Sequence, residues 1–136
     1  MFVIDASVAL AWCFEDESTG RAEELLKRVL TEGCAAPAIW PTECVNILLV
    51  AERRKRVTAA DVEKNIIKLQ SLDVEIDPEM AERSFSDIFA LARQHGLTSY
   101  DAAYLELAAR RKLPLATKDA DLKSAAQKIG VAVICI

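Results

Sequence analysis

Five short β-like runs separated by helical patterns constrain the fold of this chain more than any other feature. They are Phe2 to Ile4, Ala35 to Ile39, Val74 to Ile76, Leu113 to Thr117 and Val131 to Ile136. Apolar runs of this length read as strands, and their alternation with helices points to a parallel α/β sheet. The helical stretches carry their own end signals. Gly33 follows the stripe Ala22-Leu25-Leu26-Val29-Leu30, Gly96 follows Phe85-Ile88-Phe89-Ala92, and Gly130 follows Leu122-Ala125-Ala126-Ile129. Each glycine suits the left-handed position that closes a helix. Pro41 reads as the first residue of a helix running to about Arg56, and Thr58 with Asp61 resembles a capping box for the next, whose stripe is Val62-Ile66-Leu69. Two helices therefore stand back to back between the second and third strands. The spacing of Tyr100, Tyr104, Leu107 and Arg111 predicts another helix, capped by Thr98 or Ser99.

No repeat, low-complexity tract or linker interrupts this pattern, so the expectation is a single domain over residues 1–136. A chain of that length buries roughly two-thirds of the surface its unfolded form exposes. Its longest apolar stretch, Val8 to Phe14, has seven residues, against roughly 18 for a membrane span. The start, MFVIDASVALAWCF, has no basic leader and places Asp5 where a signal peptide needs an apolar core. The expected location is the cytoplasm, with no membrane partner.

Cys13, Cys34, Cys44 and Cys135 show no C-x-x-C spacing and read as reduced, mostly buried small apolar residues. The single histidine, His95, precedes Gly96 at a helix end, where a cap or dipole role suits it. One histidine argues against a zinc site and against histidine-based acid–base chemistry. The net charge of −4 argues against broad electrostatic binding to nucleic acid, although bound divalent cations reverse the local sign of a carboxylate cluster.

Four acidic residues lie at the edges of apolar runs: Asp5 in FVIDAS, Glu43 in PTECVN, Asp101 in TSYDAAY and Asp119 in LATKDAD. Asp5 and Asp119 fall just beyond the carboxyl ends of strands, where open α/β sheets bind ligands. Glu43 and Asp101 stand in helix starts that face the same edge. Singly, each has a structural explanation as a dipole partner, a turn residue or a solvated side chain. Together, four convergent carboxylates need compensation, and an all-oxygen donor set favours Mg2+ or Mn2+. Such ions generate a nucleophilic water without a histidine. Ser7, Asn46 and Thr117 are placed to orient the carboxylates, or to make local cap and turn hydrogen bonds. Asp121 offers a fifth carboxylate or an ordinary first-turn acid.

Two basic runs, Arg53-Arg54-Lys55-Arg56 and Arg110-Arg111-Lys112, fall near helix C-termini, where the dipole favours cations, and could also guide phosphates. Trp12, Phe14 and Trp40 flank Asp5 and Glu43 and serve either as core or as stacking and partner surfaces.

The ordered set D-A-S at Asp5 to Ser7, P-x-E-x-x-N-x-L from Pro41 to Leu48, SYDAAYL from Ser99 to Leu105 and T-x-D-x-x-L from Thr117 to Leu122 resembles PIN domains, most closely the VapC-type toxins of type II toxin–antitoxin systems. The resemblance spans essentially the whole chain. It implies a PIN-like three-layer α/β/α sandwich and a Mg2+- or Mn2+-dependent endoribonuclease, with Asp5, Glu43, Asp101 and Asp119 as the catalytic and metal-binding quartet. It further implies a VapB-type antitoxin, a homodimer and toxin–antitoxin hetero-oligomers. A related nuclease acting on DNA or housekeeping RNA without an antitoxin is the second reading, and a non-catalytic acidic docking domain the third. A receiver needs an acidic pair after its first strand and an aspartyl phosphatase needs D-x-D there. This chain has Asp5 alone, with serine at position 7.

Overall fold

The computed structural model describes residues 1–136 and contains five strands: β1 (Phe2–Ile4), β2 (Cys34–Pro37), β3 (Val74–Asp77), β4 (Leu115–Ala116) and β5 (Val133–Ile134). All pair in parallel, in the order β3-β2-β1-β4-β5. The register sets Phe2 against Cys34 on one side of β1, and Val3 against Leu115 on the other. Every residue of β1 is fully buried, as a central strand covered on both faces requires.

The helices are α1 (Ala6–Cys13), α2 (Gly20–Glu32), α3 (Trp40–Arg53), α4 (Ala59–Gln70), α5 (Met80–Arg83), α6 (Phe89–His95), α7 (Ser99–Arg111) and α8 (Ala120–Lys128). With the parallel sheet they complete the expected α/β/α sandwich. The capping box expected at Thr58 and Asp61 is present, Pro41 sits in the first turn of α3, and Thr98 caps α7 by accepting from the Asp101 amide. Gly96 closes α6 in the left-handed conformation. Gly33 has the positive φ of 77° but an extended ψ of 163°, which turns the chain directly into β2.

Three expectations need correction. The fourth and fifth strands are shorter than their apolar runs. Pro114 has no N–H to donate and a fixed φ, so the β4 ladder begins after it. Between α5 and α6 a π-helical segment, Ser84–Ile88, interrupts the expected stripe. The wider turn shifts helical phase, so Ile88 is buried while Phe85 is 98% exposed. On α7, Tyr100 remains 56% exposed, whereas Ala102 to Ala108 is buried all round. That helix is sandwiched between the sheet and the α5–α6 region. No helix is long and apolar enough to cross a membrane.

Candidate functional site

The chain winds outward from β1 through β2 to β3, then returns across the sheet to place β4 on the other side of β1. The order therefore reverses between β1 and β4, and the carboxyl ends of those strands open the crevice where doubly wound sheets bind ligands. Asp5 follows β1 there, and Asp119 lies shortly after β4.

Asp5 is 4% exposed and caps α1. Its Oδ1 accepts from Ser7 Oγ at 2.6 Å and from the Val8 amide at 3.3 Å, while its Oδ2 accepts from the Thr117 hydroxyl. Thr117 Oγ1 in turn accepts from the Asp119 amide at 3.0 Å, and Ser7 Oγ accepts from the Lys118 amide at 2.9 Å. Two hydroxyls thus tie the end of β1 to the loop after β4. Asp119 caps α8, its Oδ1 accepting from the Leu122 amide at 2.8 Å. Burial pushes the Asp5 carboxyl up to about 6 against these donors, which all favour its charged form.

Glu43 and Asp101 enter from the first turns of α3 and α7. Glu43 Oε1 accepts from the Tyr104 hydroxyl at 2.8 Å. Both carboxyls are raised above their ordinary range, first by burial. The charge of Asp101 raises Glu43 further, and those of Asp119 and Asp121 raise Asp101, while the Tyr104 and Thr98 hydroxyls pull the other way. Electrostatics therefore links Glu43 to Asp101 and Asp101 to Asp119, and the Thr117 bridge links Asp119 to Asp5. None of the four carboxylates is in an ion pair with a basic side chain.

This donor set fits a hard divalent cation in kind: four carboxylates, hydroxyl neighbours, no sulfur or imidazole, and negative charge unpaired with any basic side chain, which adds to burial in lifting Glu43 and Asp101. The side chains are not drawn into a closed cage, since no three of them converge at metal-binding range.

Other sequence-predicted residues lie differently. Asn46, one helical turn from Glu43, is exposed and makes no hydrogen bond to it; Tyr104 holds Glu43 instead. Asp121 is exposed in the first turn of α8 and reaches Asp101 through its charge alone. Trp12 and Trp40 are core residues, 7% and 5% exposed, whose indoles donate to the Ala22 and Asp5 carbonyls at 3.0 and 3.3 Å. Trp40 thereby braces the backbone that carries Asp5. Phe14 is buried beneath the Arg56 guanidinium, which also pairs with Asp16 and Glu17. Arg110 pairs with Asp77, Glu79 and Glu106, and Arg111 with Glu75, so both arginines of this second basic run are spent on ion pairs. Arg53 lies ten residues beyond Glu43 along α3, about 15 Å at the helical rise. An open cleft of about 800 Å3 lies between the end of α1 and α4, lined by Trp12, Cys13, Arg56, Asn65 and Lys68 among others and by none of Asp5, Glu43, Asp101 and Asp119.

Comparison with known proteins bears on this arrangement. The family model described as PIN domain matches residues 2–128. A search of curated proteins finds no match. Among solved structures, the chain is similar to PAE2754 from Pyrobaculum aerophilum, at 27% identity over 98% of this chain and 90% of that one, with a TM-score of 0.71. FitAcB from Neisseria gonorrhoeae is 22% identical over 98% and 96% of the two chains, with a TM-score of 0.62. A toxin–antitoxin complex from Klebsiella pneumoniae is 18% identical over 88% and 87%, with a TM-score of 0.55. The last two likenesses speak for the fold alone.

Proposed function

Since the chain belongs to the PIN domain family, we propose that it is a divalent-metal-dependent endoribonuclease and the toxin of a toxin–antitoxin pair. The observation that carries this reading is the run of carboxylates along the switch-point crevice with no basic side chain paired to them, in which burial raises Asp5, Glu43 and Asp101 and neighbouring charge raises the last two further. A purely structural cluster would be neutralised from within, as Arg110 neutralises Asp77 and Glu106 elsewhere in this fold.

Asp5, Glu43, Asp101 and Asp119 would hold Mg2+ or Mn2+. Such an ion, when bound, polarises a phosphoryl oxygen and lowers the pKa of water beside it. The protein's own contribution is placement. Ser7 and Thr117 fix both oxygens of Asp5, the α8 amide of Leu122 fixes Asp119, and buried Trp40 and Tyr104 donate to the Asp5 carbonyl and the Glu43 carboxylate. Hydrolysis by water leaves a 5′-phosphate and a 3′-hydroxyl. An RNA substrate rather than DNA is supported by the motif resemblance to VapC-type toxins. A VapB-type antitoxin is supported by that same resemblance. A homodimer, and hetero-oligomers with the antitoxin, belong to the same reading.

The test is incubation of partner-free protein with total RNA in Mn2+, beside EDTA and Asp101→Asn controls, with new ends mapped by sequencing. Discrete metal-dependent cuts bearing 5′-phosphates, absent in both controls, are expected. Cyclic phosphate ends would overturn the hydrolytic route, and cuts in DNA alone would replace the RNA substrate.

A further inference from the structure

Tyr104 lies beneath the carboxylates, 1% exposed, three residues after Asp101 on α7. That spacing sets the two on one face of the helix. Its hydroxyl donates to Glu43 Oε1 at 2.8 Å, and Glu43 comes from α3, 61 positions away in sequence. One helix thus supplies a carboxylate of the site and the clamp on a second carboxylate from another element. A phenol is protonated at neutral pH, so the hydroxyl serves the glutamate as a donor. A half-exposed glutamate otherwise has three torsions to freeze each time it takes a ligand. A clamp freezes them in advance.

We propose that Tyr104 is a positioning residue of the candidate site, occupying Oε1 of Glu43 so that the carboxylate is held in one orientation and offers its other oxygen to a cation. The inference rests on the metal-site reading above. It differs from the plain structural alternative, in which Glu43 merely satisfies a buried phenol and nothing at the crevice depends on the bond.

A double-mutant cycle on the full chain separates these. Mn2+ affinity is measured calorimetrically for the chelator-stripped wild type, Tyr104→Phe, Glu43→Ala and the double variant, with thermal melting as the check on folding. Loss of a group that orients a metal ligand weakens affinity roughly tenfold to a hundredfold. Tyr104→Phe is expected to lose affinity in that range, and to cause no further loss once Glu43 is alanine. Affinity equal to wild type would overturn the proposal, as would an equal loss in both backgrounds. Glu43→Asp, which keeps the carboxylate but draws it back from the hydroxyl, provides a second arm if Tyr104→Phe does not fold. It is expected to weaken Mn2+ comparably, and wild-type affinity there would likewise overturn the proposal. Should the wild type bind no Mn2+, the metal-site reading itself falls and takes this one with it, an outcome distinct from binding that ignores Tyr104.

Discussion

Asp5 is an aspartate that the fold prefers protonated. Burial lifts its carboxyl from the ordinary 3.8 to about 6, so the folded state binds the proton more tightly than the unfolded chain does. The stabilising contribution is therefore complete below pH 3.8 and lost as pH rises through about 6. At neutral pH the ionised group works against the metal-free fold by up to about 3 kcal/mol, the equivalent of the gap between the two values. Asp5→Asn should accordingly raise the urea midpoint of EDTA-treated protein at pH 7.5, with the gain shrinking as pH is lowered towards 4. A gain independent of pH would assign the effect to packing. The position of Asp5 was legible in the sequence because a lone acid ended an apolar run. Tyr104 was not, because spacing with Leu107 gave it an apolar place in the helical stripe, and its hydroxyl partner comes from a distant segment. For Asn46 the spacing pointed to Glu43, yet neighbouring positions on a helix need not turn their polar ends together, and this side chain faces solvent.

At the scale of elements, α7 matters most, since it carries Asp101 and Tyr104 at one end and Arg110 at the other. Arg110 Nη2 donates to Asp77 Oδ2 at 2.7 Å and its Nε to Glu106 Oε1 at 2.8 Å, with both acids almost fully buried. This fork ties the far end of α7 to the end of β3. Burial alone would raise the Asp77 carboxyl, but the Arg110 guanidinium and the Glu79 amide outweigh it and hold the group below its ordinary range. Its contribution has the opposite sign to that of Asp5: present above pH 3.8, and lost as pH falls through the depressed value. Arg110→Met strands two buried carboxylates and should cost about 3–5 kcal/mol, read from urea midpoints at pH 7. Replacing Asp77 and Glu106 by apolar residues in the same variant should recover much of the loss, whereas a persistent deficit would mean that Arg110 acts through its stem. Element type was largely readable, since caps, Pro41 and the apolar stripes are local signals. The π segment was not, because Ser84 to Ile88 carries no local mark of a widened turn, and its consequence is the exposed Phe85.

For the whole molecule, alternation of strands and helices announced a parallel sheet, but the order of strands could not be read from it. That order depends on one long return between β3 and β4, and it is what makes β1 and β4 neighbours and opens the crevice between them. Sequence reasoning placed the four carboxylates on a common edge and offered Ser7 and Thr117 to orient them; the bridge those hydroxyls make to the loop after β4 and the Tyr104 clamp appear only in three dimensions. Their joint cost has a global consequence. A fold that holds Asp5, Glu43 and Asp101 above their ordinary range is destabilised at neutral pH by its own site, and a cation that binds the native state alone offsets that cost. At a free Mn2+ concentration a hundredfold above its dissociation constant the gain is about 2.7 kcal/mol. For a chain of this size that should raise the melting temperature by on the order of 10 °C. The rise should diminish below pH 6, where protons compete for Asp5, and should be much reduced in Asp101→Asn. Potassium chloride at matched ionic strength supplies the control. An equal rise there would mean that general screening of the −4 chain relieves the repulsion, and that the crevice has no particular affinity for a divalent ion.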